Sequence, residues 1–477
     1  MQMIEVGDLT LSPGKGSRQS KLFHAIRSKI VSGLWSNGGK LPSTRKLAQE
    51  LSLSRNTVIA AYEQLAAEGY IESRLGSGFY VAVELPEQYI DANITPTGKV
   101  PQTPHLNVNA PFAPGVPDLA QFPHAKWQRL LQCHSSLTSL LGSQDIQGSK
   151  ELRIRLADYL ASSRSVVCNS NRIIITSGAQ QALSIAVMAT LKQSDSILME
   201  QPGYTQMDKI IALLGLDKQG VRVHEKQGVD IDAILQSRSQ AVYITPSNQY
   251  PMGTAITTEK RLKLIEWAMA GNRWIIEDDY DSEFQFAHRP YTSLQGLAGQ
   301  MGMDGQVLYI GSFSKVMFNS LRIGYLVVPE HLVEPCLMIK DALSGDTPGH
   351  TQAALADFIL EGDLLRHIRK MRRLYQDKYQ QIVRSIEYYL GQHVEVISQP
   401  AGLHVTLKWQ QGIDEQTWVS RAKEAGIIMR PLAYYEHLHN ENVRSWHSVV
   451  LGYGNVALGD IDSLISSLAM LFHAKKK

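Results

Sequence analysis

The chain has 477 residues and a formal net charge of +2, with 44% hydrophobic and 19% charged residues. That length exceeds what one hydrophobic core usually serves, so more than one domain is expected. The balance is that of a globular chain, which excludes a charged disordered polymer, and no apolar run approaches the roughly 18 residues that a membrane span needs.

The opening residues, Met1-Gln2-Met3-Ile4-Glu5, carry neither a basic region nor an apolar stretch that would direct export, so a cytoplasmic chain is expected. From Arg18 to Ser32, Leu22, Phe23, Ile26 and Ile30 recur at helical spacing, and Gly33 follows as a stop signal. Pro42-Ser43 opens a second short helix, Thr44 to Leu51. Ser52 to Ser54 then turns into a third, Arg55 to Glu68, with Val58, Ala61, Tyr62 and Leu65 on its buried side and Gly69 at its end. Two short strands, Tyr70 to Arg74 and Gly78 to Val83, flank Leu75-Gly76-Ser77, where Gly76 permits a tight hairpin turn.

Three helices and a hairpin make a winged helix-turn-helix, assigned to residues 12–83, and double-stranded DNA is its expected partner. Residues 1–85 hold ten Lys or Arg against seven Asp or Glu, so this reading rests on pattern rather than charge. In such a module the third helix enters the major groove, where Arg55 can reach guanine acceptors or phosphate, and Asn56 and Thr57 can contact base edges or backbone. Ser43 and Arg45 at the second helix start, Ser54 at the third, and Gly78 in the wing position the backbone contacts.

Seven prolines from Pro86 to Pro117 break any helix, and residues 84–110 read as a semi-stiff linker. Beyond it, residues 111–477 alternate apolar strand-like runs with amphipathic helices, as an α/β domain with a mostly parallel central sheet would. Ile173-Ile174-Ile175-Thr176 runs into Ser177-Gly178-Ala179-Gln180 and a helix from Gln181 to Leu191, a strand, turn and helix start whose free amides suit a phosphate. Val307-Leu308-Tyr309-Ile310-Gly311 leads likewise into Ser312-Phe313-Ser314-Lys315, with Arg322 seven residues on. That spacing sets a covalent aldehyde site beside a phosphate clamp and implies pyridoxal 5′-phosphate. Lys315 would form an imine with the cofactor aldehyde, and Ser312, Ser314 and Arg322 would hold the phosphate. Cys133, Cys168 and Cys336 lack metal-ligand spacing and read as buried small hydrophobes, so no metal is expected.

Residues 18–83 resemble the heads of GntR-type regulators, which share the landmarks LPS-x-R, SR-x-T and G-S-G. Residues 110–470 resemble the aminotransferase superfamily of fold-type I pyridoxal phosphate enzymes. That resemblance implies that Tyr204, in Glu200-Gln201-Pro202-Gly203-Tyr204, stacks on the pyridine ring. It implies that Asn248, with Gln249 as rival, lends an amide to the phenolic oxygen. In Ile275-Ile276-Glu277-Asp278-Asp279-Tyr280-Asp281 it gives Asp278 the pyridine nitrogen and Tyr280 the phenolic oxygen. Phe122-Pro123, Gly148 and Gly402-Leu403-His404 are further family-like landmarks.

The chain departs from the pattern at Ser143, where such chains often carry a tyrosine, and along Ser448 to Tyr453, which offers no arginine for a substrate carboxylate. Arg430 and Arg444 are the effector candidates nearest to that strand. Head, linker and body in this order resemble the MocR family of bacterial regulators, a GntR subgroup. The resemblance implies a homodimeric DNA-binding transcriptional regulator that senses a small amine or amino compound, or pyridoxal phosphate itself. The alternative is an active aminotransferase with an accessory DNA-binding head.

Overall fold

The apolar spacing of the first segment closes one face of helix α1 (Arg18–Val31), where Leu22, Phe23, Ile26 and Ile30 are all buried. The structure is a computed structural model that describes residues 4, 9, 17–83, 109–287, 291–436 and 444–474. It divides into two units, Met1–His105 and Leu106–Lys477. The linker read over 84–110 lies outside the described residues except for its last two.

In the first unit Ser43 caps α2 (Thr44–Glu50) by accepting from the Lys46 amide. Ser54 caps α3 (Arg55–Ala67) in the same way through the Thr57 amide. Strands β1 (Ile71–Arg74) and β2 (Gly78–Val81) pair antiparallel, and Gly76 turns between them at φ +70°. Leu22, Ile26, Leu47, Val58, Tyr62 and Leu65 form one core. The Tyr62 hydroxyl donates to the Pro42 carbonyl at 3.0 Å, which ties α3 to the turn before α2.

The second unit is built on eight strands: β3 (Ile173–Thr176), β4 (Ser196–Gln201), β5 (Asp217–His224), β6 (Gly228–Val229), β7 (Ala241–Ile244), β8 (Trp274–Asp279), β9 (Val307–Ser312) and β10 (Gly324–Val327). Their order across the sheet is β3-β10-β9-β8-β7-β4-β5-β6. Strands β5, β4, β7, β8 and β9 run parallel, whereas β10 opposes both its neighbours and β6 opposes β5. Both faces are covered at the centre of the sheet, so β3, β7, β9 and β10 read as near-continuous apolar runs, whereas β5 near the edge is largely exposed and polar. Ile174, Ile276, Leu308 and Ile310 pack towards helix Ala179–Thr190, while Ile173, Ile175 and Tyr309 join the core on the other face.

A 28-residue helix, Asp363–Leu390, leads to a four-stranded antiparallel sheet. Its strands are β11 (Glu395–Val396), β12 (His404–Trp409), β13 (Arg430–Pro431) and β14 (His447–Gly452), in the order β11-β12-β14-β13. Trp409, Trp418 and Phe472 meet edge to face beneath it.

The cysteine expectation needs correcting. Cys336 is buried, Cys168 is half-buried and Cys133 is exposed, because Cys133 lies well round its helix from the buried stripe of Trp127 and Leu130. Among the described residues no helix is long and apolar enough to cross a membrane, and no cluster of His, Cys, Asp or Glu could hold a metal ion.

Candidate functional site

Strand alternation decides what the acids ending β8 do. Successive side chains point to opposite faces, so Asp278 turns into a cavity of about 540 Å³ while Asp279 turns away to meet Arg164 at 2.6 Å. Asp279 also accepts from the Tyr309 hydroxyl at 2.6 Å. Arg164 reaches on to Ser247 Oγ and the Tyr291 carbonyl, each at 2.9 Å, locking the end of β8 to the turn after β7.

Asp278 is 5% exposed. One oxygen, Oδ2, accepts from the Tyr243 hydroxyl at 2.8 Å, and the other, Oδ1, is buried without a partner among the described residues. Burial pushes its carboxyl up to about 7. A buried acceptor left open in a cavity calls for a donor, preferably a cationic one.

Lys315 enters the same cavity from the end of β9. Its Nζ donates to the Gly115 carbonyl, which also takes a bond from Asn319 Nδ2 at 3.1 Å. Gly115 has φ +80°, a left-handed backbone that favours glycine, and a Cβ there would lie 2.7 Å from Nζ. Burial lowers the pKa of the Lys315 ammonium, against the opposing charges of Asp281 and Asp278. That favours the neutral amine needed to attack a carbonyl.

Arg322 sits at φ +51°, a strained backbone for a residue with a side chain. Its Nη2 donates to the Ser177 carbonyl at 2.9 Å. Its guanidinium lies over Gly178, where a Cβ would come within 3.1 Å of Cζ. Gly178 begins helix Ala179–Thr190, and Ala179, Gln180, Ser312 and Ser314 line the cavity beside Arg322. A helix N-terminus, a fixed guanidinium and two hydroxyls can hold a phosphate. Gly324 supports this turn from β10: its Cβ would lie 2.7 Å from the Gly178 carbonyl carbon.

Tyr204 and Tyr280 also line the cavity, and the Tyr280 hydroxyl donates to the Asn248 carbonyl at 2.9 Å. Asn248 is not among the lining residues; its Nδ2 faces Asp281 at 3.0 and 3.2 Å. The rival Gln249 is spent: Nε2 donates to Glu200, Pro202 and Tyr250, and Oε1 accepts from the Met252 amide.

The two effector candidates part company. Arg430 lines the cavity and lies over the Tyr434 ring at 5.2 Å. Arg444 borders a different cleft, clamped by Glu436 at 2.6 Å and Glu415 at 3.0 Å, so its charge is already matched.

In the first unit Ser43, Arg45, Ser54, Arg55, Asn56 and Gly78 are exposed and Thr57 is half-buried. Ser43 and Ser54 are occupied as helix caps. Sequence reasoning passed over Gly115, Tyr243 and Asp281. Proline spacing marks 111–117 only as extended chain, and nothing local says that its glycine touches Lys315.

The raised carboxyls set a pH dependence. Burial pushes Asp281 up to about 8 and Asp278 up to about 7, whereas both titrate near 3.9 when unfolded. The folded state holds protons that the unfolded state has lost, so stability falls as pH rises from the carboxylate range towards 8. The cofactor-free protein is expected to melt roughly 2 °C or more higher at about pH 6 than at about pH 8.5. Equal melting temperatures would remove the buried-acid account.

A mostly parallel sheet with a lysine after β9, an open acid at the end of β8 and an arginine over a helix N-terminus defines a pyridoxal phosphate fold of type I, joined in one chain to a winged helix-turn-helix. Residues 111–445 match the aminotransferase class I and II family, and residues 18–81 match the bacterial regulatory proteins of the gntR family. The chain is 31% identical over 469 residues to the probable rhizopine catabolism regulatory protein MocR of Rhizobium meliloti, covering 95% of this chain and 93% of that protein. It is also 31% identical over 362 residues to the pyridoxine biosynthesis regulator PdxR of Corynebacterium glutamicum, covering 75% and 76%. Among solved structures, LysN, an α-aminoadipate aminotransferase from Thermus thermophilus, superposes with a TM-score of 0.70 at 23% identity, over 77% of this chain and 93% of that one.

The chain belongs to the MocR family, transcriptional regulators with a GntR-type DNA-binding head and an aminotransferase-like body. Pyridoxal 5′-phosphate is the cofactor of that body. The open Oδ1 of Asp278 and the glycine-floored cup under Arg322 fit it.

Proposed function

We propose that Lys315 holds pyridoxal phosphate covalently and that this chain regulates transcription in response to what binds there. The observation that carries the reading is Asp278 Oδ1, buried and open in the cavity that Lys315 enters, in a chain that also carries a DNA-binding head. Asp278 pairs with the pyridine nitrogen, Tyr204 stacks on the ring and Tyr280 serves the phenolic oxygen. Arg322, Ser312, Ser314 and the turn Ser177-Gly178-Ala179-Gln180 take the phosphate. Bound there, the cofactor supplies an aldehyde that a primary amine can capture and a ring that accepts electron density. Arg430, free of ion pairs among the described residues, takes an anionic group on the effector.

One relative is named as a probable rhizopine catabolism regulator and another as a pyridoxine biosynthesis regulator; the effector proposed for this chain is an amino compound or the cofactor itself. A homodimer is part of this reading. Leu141, Met338 and Leu343 are at least half exposed, on segments tied together by the Gln144 amide to Asp346 and by Lys340 to the Ile146 carbonyl. Such an apolar face suits a second copy of the chain, which would present two heads to paired half-sites. The cytoplasm, where its DNA is, is the place of action.

The test is a visible-absorption titration of the cofactor-loaded protein with amines and amino acids, alongside DNA binding and an oxo-acid assay. A spectral shift that alters DNA binding without oxo-acid release is expected. Release of oxo acid with regeneration by a second oxo acid, and no effect on DNA binding, would favour an aminotransferase with an accessory head. At the head, Arg55→Ala is expected to weaken operator binding by about 1–3 kcal/mol; an unchanged isotherm would remove Arg55 from the interface.

A further inference from the structure

We propose that Glu200 is a positioning residue: through Thr245 and Gln249 it seats Tyr250 against Tyr204 and Tyr280, and so sets the wall of the cavity that the cofactor ring meets. The inference rests on the cofactor reading above and gives Gln249, which does not itself line the cavity, a task there.

Glu200 lies in β4 and Thr245 just beyond β7, two neighbouring parallel strands. Glu200 is 1% and Thr245 2% exposed, and Glu200 stands behind the cavity rather than in its lining. One oxygen, Oε2, accepts from the Thr245 amide at 3.2 Å, the Thr245 hydroxyl at 2.7 Å and Gln249 Nε2 at 3.2 Å. The other, Oε1, is buried without a partner among the described residues. A proton on this carboxyl would sit on Oε1 and leave Oε2 accepting, so the arrangement does not depend on charge.

Both partners pass the hold on to Tyr250. Thr245 Oγ1 accepts from the Tyr250 amide at 3.1 Å. Gln249 Nε2 donates to the carbonyls of Tyr250 at 2.8 Å and Pro202 at 3.0 Å, and its Oε1 takes the Met252 amide at 3.0 Å. The amide and the carbonyl of Tyr250 are therefore both held, and the same side chain grips the segment that leads into Tyr204. Without the common acceptor, the Thr245 amide and hydroxyl are left buried and unpaired, which costs more than the bonds themselves.

Tyr250 is where this bears on the cavity. Its ring meets Tyr204 at 6.4 Å, Tyr280 at 5.7 Å, His404 at 5.1 Å and Tyr435 at 5.2 Å, each edge to face. All five rings line the cavity. The Tyr250 hydroxyl pairs with that of Tyr435 at 2.8 Å, and the Tyr435 carbonyl accepts from the Gly203 amide at 3.0 Å. Edge-to-face packing is directional, so a shift of the Tyr250 backbone tilts the rings around it, Tyr204 among them.

The experiment measures the dissociation constant for pyridoxal 5′-phosphate, and the visible circular dichroism per bound cofactor, in wild type, Glu200→Met and Glu200→Gln. Methionine keeps the length without an acceptor, whereas glutamine supplies one. Glu200→Met is expected to weaken cofactor binding about fivefold, the scale of one lost aromatic contact, with a loss of dichroic intensity. Glu200→Gln is expected to recover most of both. A merely structural role would lower the melting temperature and leave the signal per bound cofactor untouched, and that result would overturn the proposal. So would a Glu200→Gln variant no better than Glu200→Met. If Glu200→Met does not fold, Thr245→Val, which removes the hydroxyl between Glu200 and the Tyr250 amide, reads the same two quantities. It should move them in the same direction, and wild-type values there would overturn the proposal while leaving the cofactor reading intact. Absence of any visible band from the wild type would overturn the cofactor reading and this inference with it.

Discussion

Replacing Lys315 by alanine is expected to abolish the visible absorbance of the cofactor-loaded protein completely, while the effector-free protein still binds DNA with wild-type affinity. The cavity offers no other lysine among its described lining residues, so no neighbouring amine can take over the covalent link. The head has its own core and does not need the body's chemistry to present Arg55. Response to an amine effector should vanish with the absorbance. Retained absorbance would move the covalent site to another lysine, and a parallel loss of DNA affinity would show that the cofactor controls the head even without effector.

Arg164→Met should be the most damaging change away from the cavity wall. The side chains of Arg164 and Asp279 are 1% and 2% exposed, so removing the guanidinium strands a buried carboxylate. Breaking such a pair typically costs about 3–5 kcal/mol. Because Arg164 also holds Ser247 and Tyr291, the loss should loosen the turn after β7 and weaken cofactor retention as well. Denaturant unfolding reads the first effect and cofactor release on dialysis the second. Adding Asp279→Leu to Arg164→Met should recover much of the stability, since the stranded charge is gone. A single variant within about 1 kcal/mol of wild type would mean that solvent reaches Asp279.

The head was nearly all legible in the sequence, because its signals are local. Ser43 and Ser54 cap helices where their positions say they should, and Gly76 takes the left-handed turn of the hairpin. The run from β9 into Ser312-Phe313-Ser314-Lys315 was legible for the same reason: a buried strand followed at once by polar chemistry. What stayed hidden depends on chain segments meeting from far apart. Arg430 and Arg444 are alike in sequence, and only the clamp of Glu415 and Glu436 separates them. Asn248 and Gln249 adjoin, and only Glu200 and the Pro202 and Tyr250 carbonyls show that the second is used up. Cys133 is small and apolar, yet its helix turns it outward.

Gly324 changes how genetic variation in this chain should be interpreted. It does not line the cavity, but any side chain there would press within 2.7 Å of the Gly178 backbone and lift the turn on which Arg322 rests. A survey scored only by loss of regulation would rank Gly324 beside Lys315 and mistake a spacer for a reactive residue. The two are told apart by dose: surplus cofactor can refill a distorted cup by mass action, whereas no concentration restores a missing amine.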